Sequence, residues 1–432
     1  MSTSYKETID FLYSQLPTFH REGPGAYKPG LDTARALDSL FGNPSRKFAS
    51  IHIAGTNGKG STAHSLAAIL CKAGYRTGLY TSPHIVDFRE RIRIDGAMIP
   101  EAEVVDFVNR YMSLDTGLHP SFFELTTIMA FDYFARSGVD VAVIETGLGG
   151  RLDTTNIITP LLSIITNISP DHTSLLGDTP AAIAAEKAGI IKPGIPVVIG
   201  RADDESVRKV FTDTAARQNA PIRFAPAIEA TPMTDGIEYH DTPYGSFKGE
   251  LAGVYQIENT STILTAVSEL DKRLDIPAEA VRSGLADVSG LTGLRGRWTH
   301  LSDSPLTIYD TGHNPGGWQR ITEQLASLAP HHIHLVVGFV ADKDVTTILH
   351  MIAALGRADG ITLSLYLTAP STPRRLEAAE LMKLAEAEGL TATAYADVKS
   401  ARDAAARTAS ADDMIFIGGS NFLIADLLAN IN

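Results

Sequence analysis

Cysteine is almost missing from this 432-residue chain, where Cys71 stands alone. A single thiol closes no intrachain disulfide and builds no cysteine-based metal site. Cys71 itself, in a predicted helix, is expected to be a small core residue. Positive charge is also in deficit: 37 Lys and Arg face 50 Asp and Glu, a formal net charge of −13. That balance argues against nucleic acid or an anionic membrane as a general partner. It also requires any anionic substrate to be held by local basic clusters. No apolar run reaches membrane-spanning length, and no apolar signal region follows Met1. There is no internal repeat and no low-complexity tract. A cytoplasmic location is expected. What is present is 44% apolar residues, typical of a globular protein, and length for roughly two or three domains with real cores.

The chain is organised around Ile51-His-Ile-Ala-Gly-Thr-Asn-Gly-Lys-Gly-Ser-Thr62. Residues 48–54 predict a strand and residues 65–72 a helix. Between them Gly55, Gly58 and Gly60 lack a Cβ, so backbone N–H groups can approach an anion closely. Lys59 would lie against the β- and γ-phosphates of a nucleotide, and Ser61 or Thr62 would offer a hydroxyl to Mg²⁺. The spacing departs from the general phosphate-loop pattern. Only Thr56 and Asn57 separate Gly55 from Gly58, and Gly60 precedes Ser61.

Further strands are expected at 77–80, 139–144, 161–168 and 195–199, and helices at 5–16, 31–41, 101–111 and 122–135. Residues 20–30, rich in Gly and Pro, predict a loop. Thr179 is a helix cap with Pro180 in the first helical position. Residues 88–94 predict a strand that sets Arg89, Arg91 and Arg93 on one face. Residues 221–255 are less regular and fit a small antiparallel excursion. The turn-rich 291–297 segment predicts a linker. Beyond it, strands at 306–310, 332–337, 361–367, 391–395 and 413–417 alternate with amphipathic helices. The fold class is therefore α/β, with parallel sheets in two domains.

Ligands of open parallel sheets sit beyond the carboxyl ends of strands. Lys59 with Ser61, Ser82, Glu145, and Asp171 with His172 all fall at such ends. Glu145 suits a hard cation, although a lone Glu serves equally as a helix cap or a salt-bridge partner. Gly147, Gly149 and Gly150 after it favour the first reading. By spacing alone Lys187 reads as a surface lysine. Desolvated beside a metal, it could lose its proton and take up CO₂ as a carbamate. Residues 307–315 and 336–344 repeat the strand-then-loop pattern in the second half, so a cleft between the halves is the expected ligand location.

Gly-Thr-Asn-Gly-Lys-Gly-Ser (55–61), Thr-Ser-Pro-His (81–84), Glu-Thr-Gly-Leu-Gly-Gly-Arg-Leu-Asp (145–153), Asp-His (171–172), Glu-Lys-Ala-Gly-Ile (186–190), Gly-Arg (296–297), Asp-Thr-Gly-His-Asn-Pro (310–315) and Asp-Lys-Asp (342–344) together resemble folylpolyglutamate synthase/dihydrofolate synthase. This is the folate branch of the ATP-dependent Mur ligases. The resemblance runs in order from about residue 20 onward. It implies a phosphate-loop, ATPase-like parallel-sheet domain over 1–296 and a smaller Rossmann-like α/β domain over 297–432, with ATP between them. By the family pattern Asn57, Gly58, Lys59, Gly60, Ser61, Asn259, Arg297, Asp310 and His313 would hold the nucleotide. Ser61, Ser82, Glu145, His172 and a carbamylated Lys187 would hold two Mg²⁺ ions. Lys59, Glu145, His172 and Lys187 would carry catalysis. Gly30, Leu31, Asp32, Phe122, Phe123, Glu124, Leu152, Asp153 and Thr154 would meet the pterin side. The chain departs from the family at Tyr255, where related ligases often have His.

The implied reaction joins L-glutamate to 7,8-dihydropteroate, or to the glutamate tail of a reduced folate, through an acyl phosphate made with ATP. A monomer acting on small molecules, without nucleic acid or membrane, is expected. The competing readings are a related amide ligase acting on a cell-wall precursor and an ATP-dependent switch without ligase chemistry.

Overall fold

The computed structural model describes residues 4–17, 30–114, 117–328, 330–357 and 360–431. Most of the expected loop at 20–30 lies outside them. The chain forms two compact units. The first takes the described residues up to Thr231, with Glu238–Glu250 and Gln256–Leu294. The second takes Pro232–Ile237, Leu251–Tyr255 and the chain from Arg295 onward.

The first unit is built on an eight-stranded sheet of β1 (Ala49–Ala54), β2 (Thr77–Tyr80), β3 (Ile92–Ile94), β4 (Ala97–Met98), β5 (Val141–Glu145), β6 (Leu162–Asn167), β7 (Val197–Arg201) and β8 (Ile222–Phe224). The order is β4-β3-β2-β5-β1-β6-β7-β8. From β2 to β8 all neighbours are parallel; β3 and β4 extend one edge antiparallel. The chain leaves β1 for β2 and returns through β5, then continues on the other side through β6, β7 and β8. The carboxyl end of β1 therefore lies at the point where the strand order reverses, the usual place for a ligand crevice.

β2 and β5 are buried at every residue, and β1 at all but its first. This follows from helices covering the sheet and explains the near-continuous apolar run of β5. The helix Phe122–Arg136 starts at a capping box in which Ser121 and Glu124 satisfy each other's backbone N–H groups. Its Leu125, Ile128, Phe131 and Phe134 share a core with Tyr80, Ile144 and Leu37. The helix Lys59–Lys72 packs on β1, β2 and β5 and under the helices Gln256–Leu270 and Ala278–Leu285. It is buried from Ser61 to Leu70, so it has no polar face to give it a helical pattern. Gly284 lets Ile69 approach so closely that a Cβ there would meet its Cα at 2.7 Å.

A three-stranded sheet, β9 (Ala230–Met233), β10 (Gly236–Tyr239) and β11 (Phe247–Gly249), occupies the irregular stretch. The second unit has six strands, β12 (Thr299–Asp303), β13 (Leu306–Asp310), β14 (His332–Val337), β15 (Thr362–Leu367), β16 (Ala392–Ala394) and β17 (Met414–Gly418). Their order is β12-β13-β17-β14-β15-β16. Only β12 is antiparallel to its neighbour. Trp318, Phe339 and Phe416 centre the core, with ring centroids 5.8 and 5.9 Å from Trp318.

Two expectations change. Phe88–Arg91 is a 3₁₀ turn rather than strand, closed by a capping box between Asp87 and Glu90. Arg89 is thereby turned onto Asp87, while Arg91 and Arg93 go into the interior. Cys71 is half-buried, at the edge of the core rather than in it.

Candidate active site

The loop after β1 does not hold its own shape. Thr56 N–H donates to the Asn167 carbonyl and Asn57 N–H to the Asn167 side chain, each at 2.9 Å. Thr166 Oγ1 donates to the Asn57 carbonyl at 2.6 Å, and Thr56 Oγ1 to the Ser169 carbonyl at 3.1 Å. The end of β6 thus grips the loop from the side. Gly58 turns left-handed at φ 84° to start the helix Lys59–Lys72, six residues earlier than expected. A Cβ on Gly58 would stand 2.2 Å from Asn259 Oδ1. Asn259 Nδ2 in turn donates to Gln256 Oε1 at 2.8 Å, and Gln256 Nε2 to Ser61 Oγ at 3.2 Å. Asn57, Gly58, Lys59, Gly60, Ser61 and Asn259 are therefore brought together.

Two ammonium groups converge on one carbonyl. Lys59 Nζ donates to the carbonyls of Gly55 and Thr56 at 3.1 and 3.0 Å. Lys187 Nζ, from the helix Pro180–Ala188, donates to the same Gly55 carbonyl at 2.8 Å. Lys187 is buried, and desolvation, with the Lys59 charge beside it, pushes its pKa down to about 7. The lysine that spacing alone placed on the surface is an interior one. A half-buried ammonium beside an interior lysine, at a glycine-rich strand end, suits an anion.

Glu145 ends β5 level with Ile53 of β1. It is buried, and its Oε2 accepts the Ser82 N–H at 3.1 Å. Ser82 is near it through its backbone. His172 sits left-handed at φ 50° after β6, where Asp171 accepts its N–H at 2.9 Å. Carboxylate, imidazole and the Ser61 hydroxyl thus come from the carboxyl ends of adjacent strands. As oxygen and nitrogen donors beside a phosphate loop, they suit a divalent cation.

The three expected pterin segments come from elements that touch. The helix Asp32–Leu40, which follows Gly30 and Leu31, packs against both the helix Phe122–Arg136 and the turn Thr154–Ile157. Leu152 is half-buried; Asp153 and Thr154 are buried. Asp153 accepts from the N–H groups of Leu148 and Thr155. Burial raises its pKa against those bonds. Glu124 is committed to the Ser121 cap through Oε2. Phe123 is pressed against Gly147, where a Cβ would meet the ring at 2.5 Å.

Sequence reasoning missed the cluster around Phe122. Tyr13 stacks on that ring at 5.2 Å, and the Arg91 guanidinium lies 5.2 Å from its centroid. Arg91 Nε donates to His84 Nδ1 at 2.7 Å, which leaves the proton of a neutral imidazole on Nε2, facing Tyr13 Oη at 3.1 Å. Asn167 was missed too, although a polar residue closing a buried strand is a readable signal.

In the second unit, Asp310 ends β13. Its Oδ2 accepts from Tyr255 Oη at 2.5 Å and Trp298 N–H at 2.7 Å, and its Oδ1 from Gly312 N–H at 2.7 Å. Burial raises its pKa, opposed first by the Arg297 charge. Arg297 reaches the Gly296 carbonyl at 2.9 Å and the Thr311 hydroxyl. His313 Nδ1 faces the Thr311 carbonyl at 3.0 Å. These three residues form a group of their own, and Tyr255 is the residue that fastens Asp310.

A family model described as Mur ligase middle domain matches residues 53–267, and one described as Mur ligase, glutamate ligase domain, matches 296–421. The folylpolyglutamate synthase of Lacticaseibacillus casei is 34% identical over 392 residues, covering 86% of this chain and 87% of the relative. The dihydrofolate synthase/folylpolyglutamate synthase of Bacillus subtilis is 34% identical over 376 residues, covering 83% and 85%. Among solved structures, Mycobacterium tuberculosis folylpolyglutamate synthase complexed with ADP matches with a TM-score of 0.86 at 29% identity over 99% of this chain and 98% of that one. Escherichia coli FolC in complex with DHPP and ADP matches with a TM-score of 0.85 at 27% identity over 100% and 98%. With its phosphate loop, its converging lysines and relatives aligned over most of its length, the chain belongs to the folylpolyglutamate synthase/dihydrofolate synthase family of Mur ligases.

Proposed function

We propose that this protein is the ATP-dependent ligase that joins L-glutamate to 7,8-dihydropteroate, to the glutamate tail of reduced folates, or to both. The observation that carries the reading is the meeting of Lys59 and Lys187 at the Gly55 carbonyl, on the end of β1. A carboxylate and an amine do not condense in neutral water without activation. Phosphorylation of the acceptor's carboxylate by ATP gives an acyl phosphate; the amine of glutamate attacks it and phosphate leaves.

The chain's part is positioning and charge. The N–H groups of the loop and the Lys59 ammonium would hold the triphosphate, and Asn259 would wall the loop. Arg297, Asp310 and His313 are assigned to the nucleotide as well. Ser61, Ser82, Glu145 and His172 would hold Mg²⁺. When bound, the ion supplies charge neutralisation for the transferring phosphoryl group. Lys187 is assigned a carbamate: its neutral amine adds to CO₂ and releases one proton, so a neutral buried group becomes an anion able to bind metal. Its lowered pKa supports this by providing unprotonated amine near neutrality. Gly30–Asp32, Phe122–Glu124 and Leu152–Thr154 are assigned to the pterin side, and the division near residue 296 to the boundary between catalytic domains.

The test is ADP release. 7,8-Dihydropteroate or tetrahydrofolate, each with glutamate, should trigger turnover, and a muramyl substrate should not. ATP hydrolysis that ignores both acceptor and amino acid would make the protein a switch rather than a ligase.

A further inference from the structure

At the amino-terminal end of the second unit's sheet, away from the strand ends that carry Asp310, three side chains turn their ligand atoms toward one another. His332 and His334 lie two apart on β14, hence on one face, with ring centroids 4.1 Å apart. Asp413 stands just before β17, next to β14, whose register begins with Ile333 opposite Met414. Asp413 Oδ2 is 3.3 Å from His334 Nε2 and 3.9 Å from His332 Nδ1. One ligand atom from each of the three residues lies within 4.8 Å of the others.

The outer nitrogens are both spoken for. His332 Nε2 faces Ser364 Oγ at 2.9 Å, and His334 Nδ1 faces Tyr366 Oη at 3.0 Å. Tyr366 Oη also meets Thr408 Oγ1 at 2.6 Å, and Asp413 Oδ2 also accepts the Ser410 N–H at 2.7 Å. His334 is buried, with 1% of its side chain exposed. In the tautomer whose Nδ1–H donates to Tyr366, Nε2 presents its lone pair to the Asp413 carboxylate. A cation between those two atoms satisfies both.

We propose that His332, His334 and Asp413 form a binding site for a divalent transition-metal ion of the zinc class, with water completing the coordination. Ligand atoms about 2 Å from a tetrahedral zinc lie roughly 3.3 Å apart, the separation already present between His334 Nε2 and Asp413 Oδ2. His332 needs a small rotation to match. Two imidazoles favour zinc over Mg²⁺. Each histidine also has its outer nitrogen oriented by a hydroxyl, the arrangement that sets tautomer and ring direction at metal sites. The ion would fasten the start of β17 to β14, and it takes nothing from the ATP site.

The full-length protein, stripped with chelator, is dialysed against zinc with ADP and excess Mg²⁺, and bound zinc is measured. Co²⁺ replaces zinc for visible spectroscopy. His332→Gln and Asp413→Asn are compared, since both positions are partly exposed and less apt to unfold the chain than His334; retained ADP binding verifies their fold. Wild type should retain about one zinc per chain, show a tetrahedral cobalt spectrum and melt higher with metal, while each variant binds at least about tenfold more weakly. Equal retention by the variants would place the ion elsewhere and overturn the proposal. Zinc lost from wild type on dialysis would overturn it as well, leaving a proton alone between His334 and Asp413.

Discussion

The Gly55 carbonyl accepts from two lysines, yet the two differ in what removal would do. Lys59 reaches it from the loop itself and is half-buried, open to a ligand. Lys59→Ala should lower ADP formation on the order of 100- to 1000-fold, the usual loss for a charge-stabilising contact in phosphoryl transfer, while the chain folds normally. Near-normal turnover in a steady-state assay would remove Lys59 from the mechanism. Lys187 is interior, and its assigned role requires an added carboxylate. Lys187→Ala should be inactive and partly restored by short carboxylic acids such as acetate, and ¹³CO₂ should label wild type but not the variant in NMR. Inactivity with neither rescue nor label would reduce Lys187 to a packing residue.

Much of the molecule at the level of strands and helices was legible in the sequence. Buried parallel strands announce themselves as apolar runs, which is why β5 and β14 fall on the stretches that residues 139–144 and 332–337 predict. The helix Lys59–Lys72 was half legible. Gly60, Ser61 and Thr62 are weak helix formers, and a helix buried all round leaves no polar stripe to count. Arg89, Arg91 and Arg93 misled for a different reason: period-two spacing reads as strand, but the Asp87 and Glu90 side chains bond local backbone N–H groups and win the segment for a turn. β12 was hidden behind its turn-rich neighbours. The strand-end placement of Lys59, Glu145 and His172 was legible, whereas Tyr13 meets His84 and Asn167 meets Asn57 across 71 and 110 residues of chain, and no local pattern carries those pairings. The helix Phe122–Arg136 offers a direct test. Ser121→Ala removes the hydroxyl that accepts the Glu124 N–H, leaves the Ser121 N–H bond to Glu124 in place, and should cost roughly 0.5–2 kcal/mol in denaturant unfolding. A change within error would mean that packing and the remaining bond hold the helix start.

For the protein as a whole, pH is the lever these buried lysines pull. Burial holds Lys187 at about 7 and Lys192 at about 8, both below the ordinary 10.5. Between the folded and unfolded values the unfolded chain binds more protons, so these two groups make stability rise with pH from about 7 toward 10.5. Without nucleotide, metal and CO₂, Lys187→Met should flatten that rise, so that its melting temperature relative to wild type is higher at pH 7 than at pH 10. Parallel melting curves at both pH values would contradict the shift. Family membership fixes glutamate ligation as the chemistry, and the acceptor assay decides how widely the pterin side is drawn.

The grip of β6 on the phosphate loop reaches beyond geometry. A peptide of residues 48–72 would carry every letter of the motif, yet lack Thr166, Asn167 and Ser169, which hold Thr56 and Asn57 in place. During synthesis the ribosome emits the motif more than a hundred residues before its clamp. The nascent chain therefore passes through a long interval in which the hallmark is present and the bonds that hold its shape are not.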